Sequence, residues 1–118
     1  MTPSERKAAE RVLAVSDAQK ALKDYLSKFT KVVNDTDRKM AKIKASKSKM
    51  SSDTEKEFHR LLQQIRVKMP SLNKELGRFE ESAPKAWSAQ KTTELISPYS
   101  KLWAKFDGVY KVVLKAIN

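Results

Sequence analysis

An all-α fold is predicted for this 118-residue chain by three observations. Only two glycines and four prolines interrupt it, while Ala, Lys, Leu, Ser, Glu and Val abound, a profile that suits long helices and not a β-sandwich. Steps of four and three from position 8 to position 50 pick out Ala8, Val12, Val15, Gln19, Leu22, Leu26, Phe29, Val33, Thr36, Met40, Ile43, Lys47 and Met50, of which ten are apolar. A second run with the same spacing, Phe58, Leu62, Ile65, Met69, Leu72, Leu76, Phe79 and Ala83, follows after a polar interruption. A period near 3.5 held this long marks helices packed along partner helices. The expected architecture is an antiparallel three-helix bundle built on a long helical hairpin with coiled-coil-like heptad seams. It becomes a four-helix bundle if a helix restarts at one of the prolines. At this length the chain is expected to be a single domain, 1–118, able to bury a core without disulfides or metal.

The first helix, about 3–50, opens on Thr2-Pro3-Ser4-Glu5. Thr2 is an N-cap, Pro3 sits where a missing N–H costs nothing, and Glu5 completes a capping box. Opposite charges three or four residues apart, Asp17 with Lys20, Asp24 with Lys28 and Asp35 with Lys39, suit a solvated face. Asn34-Asp35-Thr36-Asp37 is its weak point, because short polar side chains compete for backbone hydrogen bonds. The seam keeps its phase across these residues, which favours one continuous rod.

Ser51-Ser52-Asp53-Thr54-Glu55 ends that helix and starts the second, about 53–82, with Ser52 as expected N-cap and Glu55 as its capping-box partner. Pro70 lies inside it and predicts a kink. Gly77 predicts either a close approach or an early end. Ser82-Ala83-Pro84 reads as the next turn, with Pro84 near the start of a third helix, about 84–117, kinked near Pro98. The third helix is densely apolar: Leu95, Ile96, Tyr99, Leu102, Trp103, Phe106, Val109, Tyr110, Val113, Leu114 and Ile117 span about 140° of its circumference. A stripe that wide fits a groove between two helices, or an added oligomer contact.

The net charge of +11 is unevenly distributed. Residues 38–52 carry six basic and no acidic side chains, and residues 83–118 carry six and two. The first block, Arg38, Lys39, Lys42, Lys44, Lys47 and Lys49, falls at the tip of the expected hairpin and is the leading candidate for a partner-binding surface. It is as readily explained as a solvated face that keeps the protein soluble. Lys101, Lys105, Lys111 and Lys115 form a second basic face, behind the apolar stripe of the third helix. Trp87 stands in polar surroundings, either as a cap on the bundle end or as an exposed anchor of the kind that dominates interface hot spots.

These features exclude more functions than they select. The chain has no cysteine and a single histidine, His59, so no metal-ligand set is apparent. It has no glycine-rich phosphate loop and no nucleophile elbow, and no enzyme or cofactor is expected. It has neither a signal core nor a membrane span, so a soluble and preferably cytoplasmic protein is expected. The first hypothesis is a protein-interaction module that presents Arg38, Lys39, Lys42, Lys44, Lys47 and Lys49, with Trp87 in an apolar patch, to an acidic partner protein. The alternative is nonspecific nucleic-acid binding through phosphates by the same lysines. Peripheral contact with an anionic membrane ranks third. A homodimer in which exposed parts of two seams meet is a further expectation.

Overall fold

The computed structural model describes residues 2–82 and 84–118. Three helices, α1 (Pro3–Ala45), α2 (Ser52–Glu81) and α3 (Ala89–Ile117), pack pairwise against one another. The molecule measures 64 × 21 × 19 Å. At 1.5 Å per residue the 43 residues of α1 alone span about 64 Å, so α1 is the length of the rod.

The contacts fix the directions. Going up α1, Gln19 meets Phe79, Asp37 meets Arg66 and Lys47 meets Glu55, so positions descend along α2. Against α3 they ascend instead: Ala14 meets Thr92, and Phe29 meets Tyr99 and Trp103. With 30 and 29 residues, α2 and α3 are each about 20 Å shorter than α1. Both leave its first ten or so residues without a helical neighbour.

Local chemistry sets the ends. Thr2 Oγ1 accepts the Glu5 N–H at 3.2 Å and Glu5 Oε2 accepts the Thr2 N–H at 3.1 Å, closing the expected capping box with Pro3 in the first turn. No break occurs at Asn34-Asp35-Thr36-Asp37. There the buried Thr36 returns its hydroxyl proton to the Val33 carbonyl at 2.9 Å, which keeps a polar side chain inside the helix without an orphaned group.

The far end of α1 differs from the expected rod to about position 50. The Ser46 N–H bonds both Lys42 and Ile43 carbonyls, and a single 3₁₀ turn, Lys47–Lys49, follows. Seam positions Lys47 and Met50 therefore lie outside the helix. A tightened last turn is a common way to satisfy terminal carbonyls, and four lysines in eight residues oppose continuing an α-helix there. The cap of α2 is also one residue earlier than expected: Ser51, not Ser52, accepts the Thr54 N–H, and its own hydroxyl bonds Thr54 Oγ1 at 2.8 Å. Thr54 takes the third helical position and bonds the Ser51 hydroxyl, the capping box expected of Glu55 does not form, and Glu55 instead faces Lys47 at 3.9 Å.

Neither Pro70 nor Pro98 divides its helix, so among the described residues there are three α-helices and no fourth. Pro70 and Pro98 are both exposed. Gly77 marks neither an early end nor a close approach, since α2 runs on to Glu81 and a Cβ at Gly77 would meet nothing within 4 Å. The third helix begins at Ala89 and not near Pro84. Ser88 Oγ accepts the Lys91 N–H, and the Pro84 carbonyl is taken by Arg11 Nε at 2.8 Å. The segment 84–88 thus closes the bundle end before the helix starts. Ala83, the last expected seam position of the second helix, lies outside the described residues.

Burial refines the seams. Val15, Leu22, Phe29, Thr36 and Ile43 recur every seventh position of α1 and all are buried, as are Phe58, Ile65, Leu72 and Phe79 of α2. The other row expected in α1 lies at the edge. Gln19, Leu26, Val33 and Met40 are half-buried, while Ala8 and Val12 are exposed. In their place Ala14, Ala18 and Val32 are buried, because α1 serves two neighbours on adjacent flanks. Aromatic rings tie the three helices together: Phe29 touches Tyr25, Tyr99 and Trp103, and Phe58 touches Phe106 and Tyr110, with centroids 5.7–6.4 Å apart.

Candidate functional site

The level of Phe29, Leu72 and Trp103 divides the rod in half. The half that holds the turn between α1 and α2, residues 30–72 and 103–118, carries fourteen basic and six acidic side chains, hence +8 of the net +11. The two basic blocks of the sequence meet here because α3 runs in the same direction as α1 and brings Lys105, Lys111 and Lys115 to the end where Arg38, Lys39, Lys42, Lys44, Lys47 and Lys49 lie.

Within this cluster the pairing is incomplete. Arg38 bonds Asp35, in place of the expected Lys39 partner. Lys47 approaches Glu55, and Lys111 pairs with Asp107 at 3.1 Å. Among the described residues, Lys39, Lys42, Lys44 and Lys49 have no carboxylate within ion-pair distance. Lys39 is half-buried against the bundle, whereas Lys42, Lys44 and Lys49 are exposed. Three unneutralised ammonium groups on a convex end only about 20 Å across form a field that attracts anions. On the flank, Arg60 is bonded to Glu57; that bond holds the Glu57 carboxyl below its usual range, with a smaller contribution from Lys105.

Trp87 belongs to the opposite end. It is half-buried, edge-on to Phe79 with centroids 5.0 Å apart. Its Nε1–H donates to Thr92 Oγ1 at 2.8 Å, and the Thr92 hydroxyl donates to the Ala14 carbonyl at 3.1 Å. The indole therefore closes the bundle end where 84–88 passes over α1. It shares no surface with the lysine cluster.

Other expected features resolve simply. His59 is exposed beside Phe58. The pairs Asp17 with Lys20 and Asp24 with Lys28 are not formed; Lys28 lies instead over the Tyr25 and Trp103 rings, 5.2 and 5.8 Å from their centroids. Lys101, Lys105, Lys111 and Lys115 are exposed, on the back of α3. Among the described residues, no three His, Asp or Glu side chains gather as metal ligands would, and no helix is long and apolar enough to cross a membrane.

One feature was missed in the sequence. Val112 is 49% exposed between Lys111 and Lys115, an apolar side chain on the basic end itself. It lies outside the apolar stripe read for the third helix, about 60° beyond its edge at 100° per residue, and that angle was the signal that it would face out. Conversely, every Phe, Tyr and Trp of the chain is buried or half-buried. No protein-family model, curated protein or solved structure matches this chain.

Proposed function

We propose that the protein is a non-enzymatic interaction module whose basic end docks on an acidic surface of a partner protein. The observation that carries this reading is the convergence of lysines from α1, the turn and α3 at one end, with Lys42, Lys44 and Lys49 exposed and unpaired. In this reading, the frame is a long, coiled-coil-like hairpin of α1 and α2, as the buried seven-residue rows suggest, and its stiffness holds the charges in register. Electrostatics would set the association rate and orientation more than the total affinity. Trp87 drops out of the contact, and Val112 takes the apolar role beside the lysines.

A nucleic acid would meet the same ammonium groups through its phosphates. With every Phe, Tyr and Trp ring at least half-buried, bases have only the single exposed imidazole of His59 to stack on. A bidentate purine contact has only Arg38 in the cluster, already bonded to Asp35. The protein partner is therefore favoured.

The test compares pull-downs from source-cell lysate by the wild type and a Lys42, Lys44, Lys47, Lys49→Glu variant, with and without nuclease. An acidic protein recovered by the wild type after nuclease and lost with the variant is the expected result. Recovery that collapses on nuclease would transfer the site to nucleic acid, and equal recovery by both would reduce it to a solvated face.

A further inference from the structure

At the end away from the lysines, α1 runs past both of its neighbours. Val12 and Leu13 are adjacent there and 62% and 65% exposed. Ala8, Ala9 and Ser16 are exposed on the same side. At 100° per residue, these five with Glu5 and Lys20 fall within about 140° of the helix circumference. Val12 heads the edge row of α1 whose later members, Gln19, Leu26, Val33 and Met40, are half-buried. That row loses its partial cover where the bundle has stopped supplying a neighbour.

The charges around this face are nearly symmetric about Val12, each oppositely charged pair matching to within one residue. Arg6 lies six residues before it and Asp17 five after; Glu5 lies seven before and Lys20 eight after. All four are exposed. Among the described residues, Arg6, Asp17 and Lys20 have no ion-pair partner in their own chain. A second α1 laid antiparallel across the face, with the twofold axis at Val12, brings each Arg6 within one residue, about 1.5 Å of rise, of the level of the other copy's Asp17, and each Glu5 equally near that of the other copy's Lys20. Alanines then meet Ser16 on either side of a Val12 and Leu13 centre, and small side chains let two helices approach closely. The overlap stops near Lys20, just before Lys23, whose ammonium faces Glu80 of α2 at 3.7 Å, so α2 does not obstruct it. An unrelated partner would give no reason for this twofold symmetry of charge, whereas an isologous contact requires it.

We infer that two copies of this chain associate through the projecting first turns of α1, antiparallel about Val12. The contact covers about 24 Å of helix, which places it in the weak, concentration-dependent class. It points the two basic ends away from each other, roughly 100 Å apart at the poles of a double-length rod. A dimer would then bridge two acidic partners, and its formation does not depend on what those partners are.

Sedimentation of the purified protein, with no polyanion present, tests this from about 5 to about 500 µM, the range of weak interfaces. The wild type should move from 13.5 kDa toward twice that mass. Asp17→Arg, which sets like charges opposite one another, should weaken association about tenfold, and adding Arg6→Asp should restore it to within about twofold. Val12→Glu should abolish it with the melting temperature unchanged. A monomer throughout, or a dimer indifferent to Asp17→Arg or not rescued by the double exchange, would overturn the inference. Because no acidic ligand is in the cell, either result leaves the reading of the basic end to its own test.

Discussion

Tyr110 Oη is buried and has no hydrogen-bond partner among the described residues. Such a group bears its desolvation cost unrelieved, so Tyr110→Phe should stabilise the protein by about 1 kcal/mol, read as a higher urea midpoint with an unchanged slope. Tyr99 differs. Its hydroxyl donates to Glu75 Oε2 at 2.8 Å, and Tyr99→Phe should be destabilising by a comparable amount. Both phenols are pushed above their usual range, by burial first; Glu75 adds to the rise at Tyr99, and Asp35 adds to it at Tyr110 against the opposing Arg38. The folded chain thus holds these protons more tightly than the unfolded chain. That stability is fully present below the ordinary phenol value of about 10 and is lost as pH rises through the raised values. A melting temperature that falls above about pH 10, less steeply in Tyr110→Phe, is the expected profile. Gly77→Ala should add about 1 kcal/mol, because its added methyl meets open space in a continuous helix.

For the helices, seven-residue rows decide which substitutions matter. Leu22→Ala and Phe58→Ala remove fully buried side chains and should cost about 2–5 kcal/mol each, whereas Val12→Ala, at an exposed position of the same pattern, should cost less than about 0.5 kcal/mol. Chemical denaturation of the three variants checks the contrast. The α2 seam was legible because members of both its expected rows turn inward: Phe58, Ile65, Leu72 and Phe79 in one, Leu62 and Leu76 in the other. In α1 only one row was legible as core. The second was misplaced by one position, at Ala18 beside Gln19 and Val32 beside Val33, because α3 lies on that flank and its position depends on tertiary packing. Helix ends were readable where one cap residue competes, as at Thr2, and not where two do, as at Ser51 and Ser52. The late start of α3 was hidden for a similar reason: Ser88 caps it, while Arg11, distant in sequence, holds the carbonyl of the proline that looked like its first turn.

Across the whole molecule, charge separates from apolar surface. The sequence displayed two basic blocks but not their convergence, which follows from the direction of α3 relative to α1. It also left Trp87 open between cap and anchor, and only its edge contact with Phe79 and its bond to Thr92 place it at the closed, far end. The resulting rod has a basic end and an overhanging apolar end about 64 Å apart.

That separation makes position, not total charge, the quantity to vary. The most direct measurement is the affinity of an acidic polypeptide, polyglutamate, for two variants of equal net charge. One reverses Lys42, Lys44, Lys47 and Lys49 to glutamate; the other reverses Lys7, Lys74, Lys85 and Lys101, all exposed and outside the basic half. Removing the basic end should cost at least about tenfold in affinity, with a marked loss of salt dependence, while the second variant should stay within about threefold of wild type. Equal losses in the two would contradict the account, because binding would then follow net charge and no site would exist at the end of the rod.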